Sequence, residues 1–231
     1  MAALLIVCAA WLAWAPLAHA LIDNPRNDPA SGLLWLVMKA YCRIVHRVRV
    51  GGREYIPSAA HPGPLVLVAN HTASVDPLLI QAVVPFHVRF MMSDDMIHPA
   101  LAGVFEWAGI VPVSANGRES TSARAALRVL GEERGVLGIF PEGGIERPRE
   151  RLMAFRPGVG LLVARSGAPV LPVVIRDTPR TLHAWRSLFM PSRARLDFMP
   201  VISYEGEKAS AIAPDLQRRF AQWTGWPVAG G

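Results

Sequence analysis

Pro64-Leu65-Val66-Leu67-Val68-Ala69-Asn70-His71-Thr72-Ala73-Ser74-Val75-Asp76-Pro77 is the stretch that organises this chain. Its first half is a short apolar run bounded by Pro62-Gly63-Pro64 and Asn70, the mark of a strand buried on both faces. Its second half opens a new element at Asp76-Pro77, with Asp at the cap and Pro at the first helical position. His71 therefore leaves a strand and Asp76 enters a helix. This places the carboxylate within folding distance of the imidazole. A carboxylate on one ring nitrogen fixes the tautomer and leaves the other nitrogen free to take a proton. Each residue also has an ordinary use, Asp76 as a helix cap and His71 as a surface residue. Ser74 lies in no G-x-S-x-G elbow, so a serine hydrolase is not indicated.

Working outward, Val136–Phe140 is a second strand-like run, closed by the turn Phe140-Pro141-Glu142-Gly143-Gly144. Paired glycines let backbone amides approach a ligand, and the charged run Glu146-Arg147-Pro148-Arg149-Glu150-Arg151 supplies cations that hold an anion. A third piece is Phe155-Arg156-Pro157-Gly158, then an apolar helix-like stretch, a Ser166-Gly167 stop and the strand Pro169–Ile175. Strands are predicted at 64–69, 87–92, 109–114, 136–140, 169–175 and 194–202. Helices are predicted at 77–84, 96–107, 119–133, 158–166 and 213–223. Such alternation predicts an α/β fold, a mixed sheet flanked by helices. Trp185, Trp223 and Trp226 read as packing or interfacial anchors, and His183 carries little information by itself.

The three pieces together resemble the glycerolipid acyltransferase family, whose best-known members acylate lysophosphatidic acid. The N-H-x-x-x-x-D motif matches Asn70, His71 and Asp76, and F-P-E-G matches Phe140, Pro141, Glu142 and Gly143. The late apolar motif with a central proline resembles Val170-Leu171-Pro172-Val173-Val174-Ile175. The resemblance implies transfer of a fatty acyl group from acyl-CoA or acyl-carrier protein to the hydroxyl of a lysophospholipid, with lysophosphatidic acid the favoured acceptor. His71 would be the general base and Asp76 its orienting partner, while Glu142, Gly143 and Gly144 would place the acceptor. The thioester is a co-substrate, and no metal or bound cofactor is called for. Two departures touch the acceptor side: Ile145 and Ala115 stand where the family usually has phosphate-binding arginines. Arg118, Arg147 and Arg149 are the candidates to replace them. The rival readings are a non-phosphate lipid acceptor, a thioester hydrolase, and a non-catalytic lipid-binding protein.

Composition agrees with a membrane-surface protein. The 231 residues are 52% hydrophobic with a formal net charge of +6, which suits anionic lipid. The arginines are scattered and no nucleic-acid motif appears, so nucleic acid is not the expected partner. Cys8 and Cys42 form no metal or disulfide pattern. Residues 1–22 lack Asp, Glu, Lys and Arg. A transmembrane helix, a signal peptide ending at Ala18-His19-Ala20 and an interfacial segment all fit that stretch. Basic residues follow it (Arg26, Lys39, Arg43, Arg47, Arg49 and Arg53), which favours an uncleaved anchor with the domain on the cytoplasmic face. Leu33–Met38 running into Lys39, Arg43 and Arg47 reads as an interfacial helix. The expected organisation is a membrane-associating segment over 1–50 and a catalytic domain over 51–231. Oligomeric state is left open.

Overall fold

A computed structural model describes the chain apart from residues 2–6, 9–10, 13, 16–17, 20, 23, 27, 60, 115–118, 146–149, 182–184 and 230–231. Its centre is a seven-stranded mixed sheet. The strands are β1 (Arg49–Gly51), β2 (Leu65–Ala69), β3 (Arg89–Ser93), β4 (Val111–Val113), β5 (Val136–Ile139), β6 (Val170–Arg176) and β7 (Arg195–Phe198). Their order across the sheet is β1-β7-β6-β2-β5-β3-β4. β2 is central and runs parallel to both β5 and β6, while β7 is antiparallel to β6. All residues of β2 and β5 are buried. A parallel strand covered on both faces reads as an unbroken apolar run, which is why these strands stand out in the sequence.

Helices cover both faces. On one side lie α1 (Pro29–Ile44) and α2 (Asp76–Val83), where Leu79 and Ile80 pack against Leu65, Leu67 and Ala69 of β2. On the other lie α4 (Glu119–Leu130), α5 (Gly158–Ser166) and α6 (Ala209–Thr224), which meet Val66 and Val68. α3 (Ala102–Trp107) sits at the β4 end. Fully burying one such Leu or Val contributes about 1.5–3 kcal/mol, so the two layers fix β2 rigidly in the middle.

The strand order also fixes where a ligand can lie. The chain leaving β2 passes through α2 toward β3, on one side. The chain leaving β5 passes through α5 to β6, on the other. Two neighbouring parallel strands whose outgoing connections diverge open a crevice at their carboxyl ends, the usual ligand position in open α/β sheets. His71 follows β2 and Glu142 follows β5, so both motif residues sit at that crevice.

Three local expectations are revised. Residues 96–107 are not one helix: Pro99 and the flanking polar residues break them into short 3-10 turns before α3. The strand predicted over 194–202 ends at Phe198. β1 pairs in parallel with β7, so residues 49–51 belong to the sheet and a boundary at 50 falls inside a strand. Toward the N-terminus the described residues between 7 and 22 are helical, with Trp11, Leu12, Trp14 and Ile22 exposed. Among the described residues no helix is long and apolar enough to cross a membrane. α1 begins at Asp28, whose side chain accepts from the Ser31 amide at 2.8 Å, with Pro29 in the first turn. It exposes Leu33, Leu34, Val37 and Ile44.

Candidate active site

The loop after β2 is wired at every step. Asn70, fully buried, extends the β2–β6 ladder with its side chain. It donates to the Ile175 carbonyl at 2.9 Å and accepts from the Ile175 amide at 2.7 Å. His71 comes next, and its Nδ1 lies 3.0 Å from Oδ2 of Asp76, whose side chain is completely buried. The same oxygen accepts from the backbone amides of Thr72 at 2.6 Å and Ala73 at 2.9 Å. Asp76 is therefore not the helix cap that Asp-Pro suggests. It occupies the first turn of α2, Val75 takes the cap position, and the carboxylate turns back onto the loop. The hydroxyl of Thr72 donates to Asp76 at 3.3 Å, and the hydroxyl of Thr178 donates to that of Thr72 at 2.9 Å. A carboxylate fixed in this way by amides and a hydroxyl orients the imidazole beside it and can stabilise an imidazolium there.

Glu142 approaches from the β5 side. One carboxylate oxygen accepts from the His71 amide at 2.7 Å, the other from the Met153 amide at 2.8 Å. The residue is 2% exposed. Burial pushes its pKa up to about 7, outweighing the two amides, which favour the ionised form. The family resemblance assigned Glu142 to the acceptor. Both of its oxygens serve backbone amides, so the side chain braces the histidine loop against the 152–155 segment.

The imidazole is also held from its face. Phe140 stacks on His71 with ring centroids 4.3 Å apart, and Phe90 stacks on Phe140 at 5.8 Å. Gly138 makes room for that stack, because a Cβ there would fall 2.4 Å from the Phe90 ring. Gly143 closes the Phe140–Gly143 turn, its amide donating to the Phe140 carbonyl at 3.0 Å. Its φ of +68° and the Arg156 guanidinium, 2.2 Å from where a Cβ would sit, exclude any larger residue without rearrangement. Gly144 follows it in the same turn.

With Nδ1 tied to Asp76 and one ring face stacked on Phe140, His71 borders a cleft of about 220 Å³. Arg151, Arg176 and Arg180 border the same cleft. Arg176 and Arg180, at the end of the proline strand and after it, carried no signal in the sequence, while Arg151 closes the charged run read as supplying cations for an anion. Trp226, read as a packing residue, also borders the cleft and carries the Arg176 guanidinium 5.5 Å from its ring centre. Of the predicted site residues, the structure brings His71, Asp76, Glu142, Gly143 and Gly144 together. Arg118, Arg147 and Arg149 lie outside the described residues, as do Ala115 and His183. Among the described residues no cluster of His, Cys, Asp and Glu is arranged to hold a metal.

A histidine–carboxylate pair at the carboxyl edge of an α/β sheet, bordering a cleft with three arginines, is an arrangement capable of base-assisted chemistry. A family model described as Acyltransferase matches residues 47–176, more than half of the chain, and the chain belongs to that family. It is 25% identical over 170 residues to the 1-acyl-sn-glycerol-3-phosphate acyltransferase alpha of Ovis aries, covering 72% of this chain and 58% of the relative. To the protein of the same name from Mus musculus it is 26% identical over 165 residues, covering 69% and 56%. The chain thus spans somewhat over half the length of these relatives. The crystal structure of the 1-acyl-sn-glycerophosphate (LPA) acyltransferase PlsC from Thermotoga maritima superposes with a TM-score of 0.69, at 18% identity, over 95% of this chain and 91% of that one. That neighbour shares the fold.

Proposed function

We propose that the protein transfers a fatty acyl group from an acyl thioester, acyl-CoA or acyl-carrier protein, to the free hydroxyl of a lysophospholipid of the lysophosphatidic acid type. The observation that carries this reading is the orientation of His71. Its Nδ1 is tied to the buried Asp76, and it borders the cleft. Nε2 takes the proton of the acceptor hydroxyl as that oxygen attacks the thioester carbonyl. The resulting imidazolium is stabilised by Asp76. Collapse of the tetrahedral intermediate breaks the C–S bond, and the proton on Nε2 passes to the departing thiolate. The amides of His71, Thr72 and Ala73 are already bonded to Glu142 and Asp76, so the oxyanion draws on other donors.

The chemistry is proposed to take place at a membrane surface on the cytoplasmic side. In support, α1 exposes Leu33, Leu34, Val37 and Ile44 alongside Lys39, whose ammonium sits 3.9 Å over the Trp35 ring. Apolar and cationic groups on one helix fit an anionic bilayer interface.

The test supplies acyl-CoA, or acyl-carrier protein, with and without lysophosphatidic acid on anionic phospholipid vesicles. The protein should sediment with the vesicles in high salt and consume thioester and lysolipid in equal amounts. Thioester loss without acceptor acylation would make it a hydrolase, and no loss of either would make it a binder. Release from the vesicles by salt would remove the apolar anchoring.

A further inference from the structure

α1 ends against another element that exposes apolar side chains. Residues Trp185–Leu188 form a 3-10 turn, closed by the Phe189 amide, which donates to the Arg186 carbonyl at 3.1 Å. Ser187 is buried and Leu188 packs on the core, so the turn is firmly seated. Trp185 and Phe189 nevertheless point outward, 49% and 81% exposed. The turn is stitched to the last turns of α1. The Tyr41 hydroxyl donates to the Leu188 carbonyl at 2.5 Å and lies 2.8 Å from Nε2 of the fully buried His46. Nδ1 of His46 lies 2.9 Å from the Ser192 hydroxyl, and the Ser192 amide donates to the Val45 carbonyl at 3.1 Å. The charge here has one sign. The sequence has no Asp or Glu from Pro29 to Arg53, nor from Thr178 to Leu196. These two stretches meet, β1 running parallel to β7. Arg43, Arg47, Arg186 and Arg193 are exposed in them, while Asp197, next in the chain, is held by Arg195 at 2.8 Å.

We infer that the turn at residues 185–189 is a second contact with an anionic bilayer, separate in sequence from the N-terminal helices, with Trp185 and Phe189 entering the interface and Arg186 and Arg193 meeting lipid phosphates. This rests on the membrane reading of α1 and extends it to an element from the far end of the chain. Aromatic rings beside cations are the composition of a membrane-interface contact. Two other occupants fit less well. A second copy of the chain would set arginines against arginines across the contact. An acidic protein would match the charge, but the apolar surface does not stop at the turn. It runs on through Ile44 to Val37 and Leu33, which share one face of α1, and that row is roughly 16 Å long at the helical rise. A bilayer covers the row and the turn at once. The consequence is orientation. A lone interfacial helix leaves its domain free to roll about the helix axis, whereas a second contact, bonded to the end of that helix, removes the freedom and fixes how the cleft faces the lipid.

The experiment uses the full chain with Cys8→Ser and Cys42→Ala, carrying Phe189→Cys labelled with an environment-sensitive nitrobenzoxadiazole group. Glu205→Cys, exposed ahead of α6 on the other layer, carries the same label as control. The probes are vesicles of phosphatidylglycerol and phosphatidylcholine, with and without doxyl-labelled lipid, and acyl-carrier protein in a separate sample. With vesicles the label at 189 should shift to the blue and be quenched by doxyl lipid, and the label at 205 should do neither. Unlabelled Phe189→Ala should weaken vesicle partition about tenfold, and Phe189→Leu should keep most of it, since apolar area and not the ring is what the bilayer reads. An unquenched label at 189 on protein that still sediments with vesicles overturns the inference and leaves α1 as the anchor. So does unchanged partition of Phe189→Ala. A blue shift that grows with protein concentration in the absence of vesicles would make the turn a contact between copies, and one produced by acyl-carrier protein alone would give it to the donor; either overturns the inference. Protein that neither sediments nor shifts overturns the membrane reading with it. A quenched label on protein that transfers no acyl group would sink the acyl-transfer reading and leave the contact standing.

Discussion

The two walls of the cleft are built on opposite plans. On the histidine wall, the amides of His71, Thr72 and Ala73, both oxygens of Glu142 and the amide of Asn70 are all bonded within the protein. On the arginine wall, a buried guanidinium nitrogen of Arg151 has no partner and Arg180 holds Glu150 only loosely. A group that moves a proton gains from being locked in place before substrate arrives, because positioning then costs nothing during the reaction. A group that recognises an anion gains from being left unsatisfied, because the ligand supplies the missing bonds. The contrast is between polar groups closed within the protein and cations of the cleft that are held loosely or lack a partner.

The largest effect should come from the histidine itself. His71→Ala should lower acyl transfer by about 10²–10⁴-fold with little change in thermal stability, read by steady-state turnover and melting. Turnover within a few-fold of wild type would mean that the locked wall serves the fold and not the reaction.

Asp76→Asn is the sharper probe. Asparagine keeps an acceptor for the Thr72 and Ala73 amides but has no charge to stabilise an imidazolium. Turnover should fall by about 10²-fold or more, while KM for the lysolipid stays near wild type. A rise in KM with kcat intact would instead make the loop part of the recognition wall.

Glu142→Gln should have the smallest effect on rate and the clearest one on stability. Burial raises the folded pKa to about 7 from an ordinary value of 4.5, so within that window the folded chain keeps a proton that the unfolded chain has lost. Stability therefore falls as pH rises through that window and remains lower above it, by on the order of 3 kcal/mol. Glutamine removes this slope and leaves one of the two amides without an acceptor, costing about 1–3 kcal/mol. Urea unfolding at pH 5 and pH 8 should show a smaller difference for the variant than for wild type. Equal differences would mean that Glu142 stays charged throughout.

Much of this was readable in the chain. β2, β5 and β6 are continuous apolar runs because both their faces are covered, and the spacing of His71 and Asp76 already placed them as partners. β1 was not readable: three residues at a sheet edge, one of them exposed, leave no apolar pattern. The brace made by Glu142 was hidden for a different reason. Its partners are backbone amides, which every residue but proline carries, so no side-chain signal marks them. Nothing in the charged run marks Arg151; that its buried Nε lacks a hydrogen-bond partner is a property of the fold.

The bonds that hold the histidine loop draw on widely separated parts of the chain. His71 and Asp76 are five residues apart, but the Glu142 brace spans 71 positions and the Asn70–Ile175 clamp spans 105. A truncated product ending before residue 170 lacks β6 and therefore carries the motif without the Asn70–Ile175 clamp.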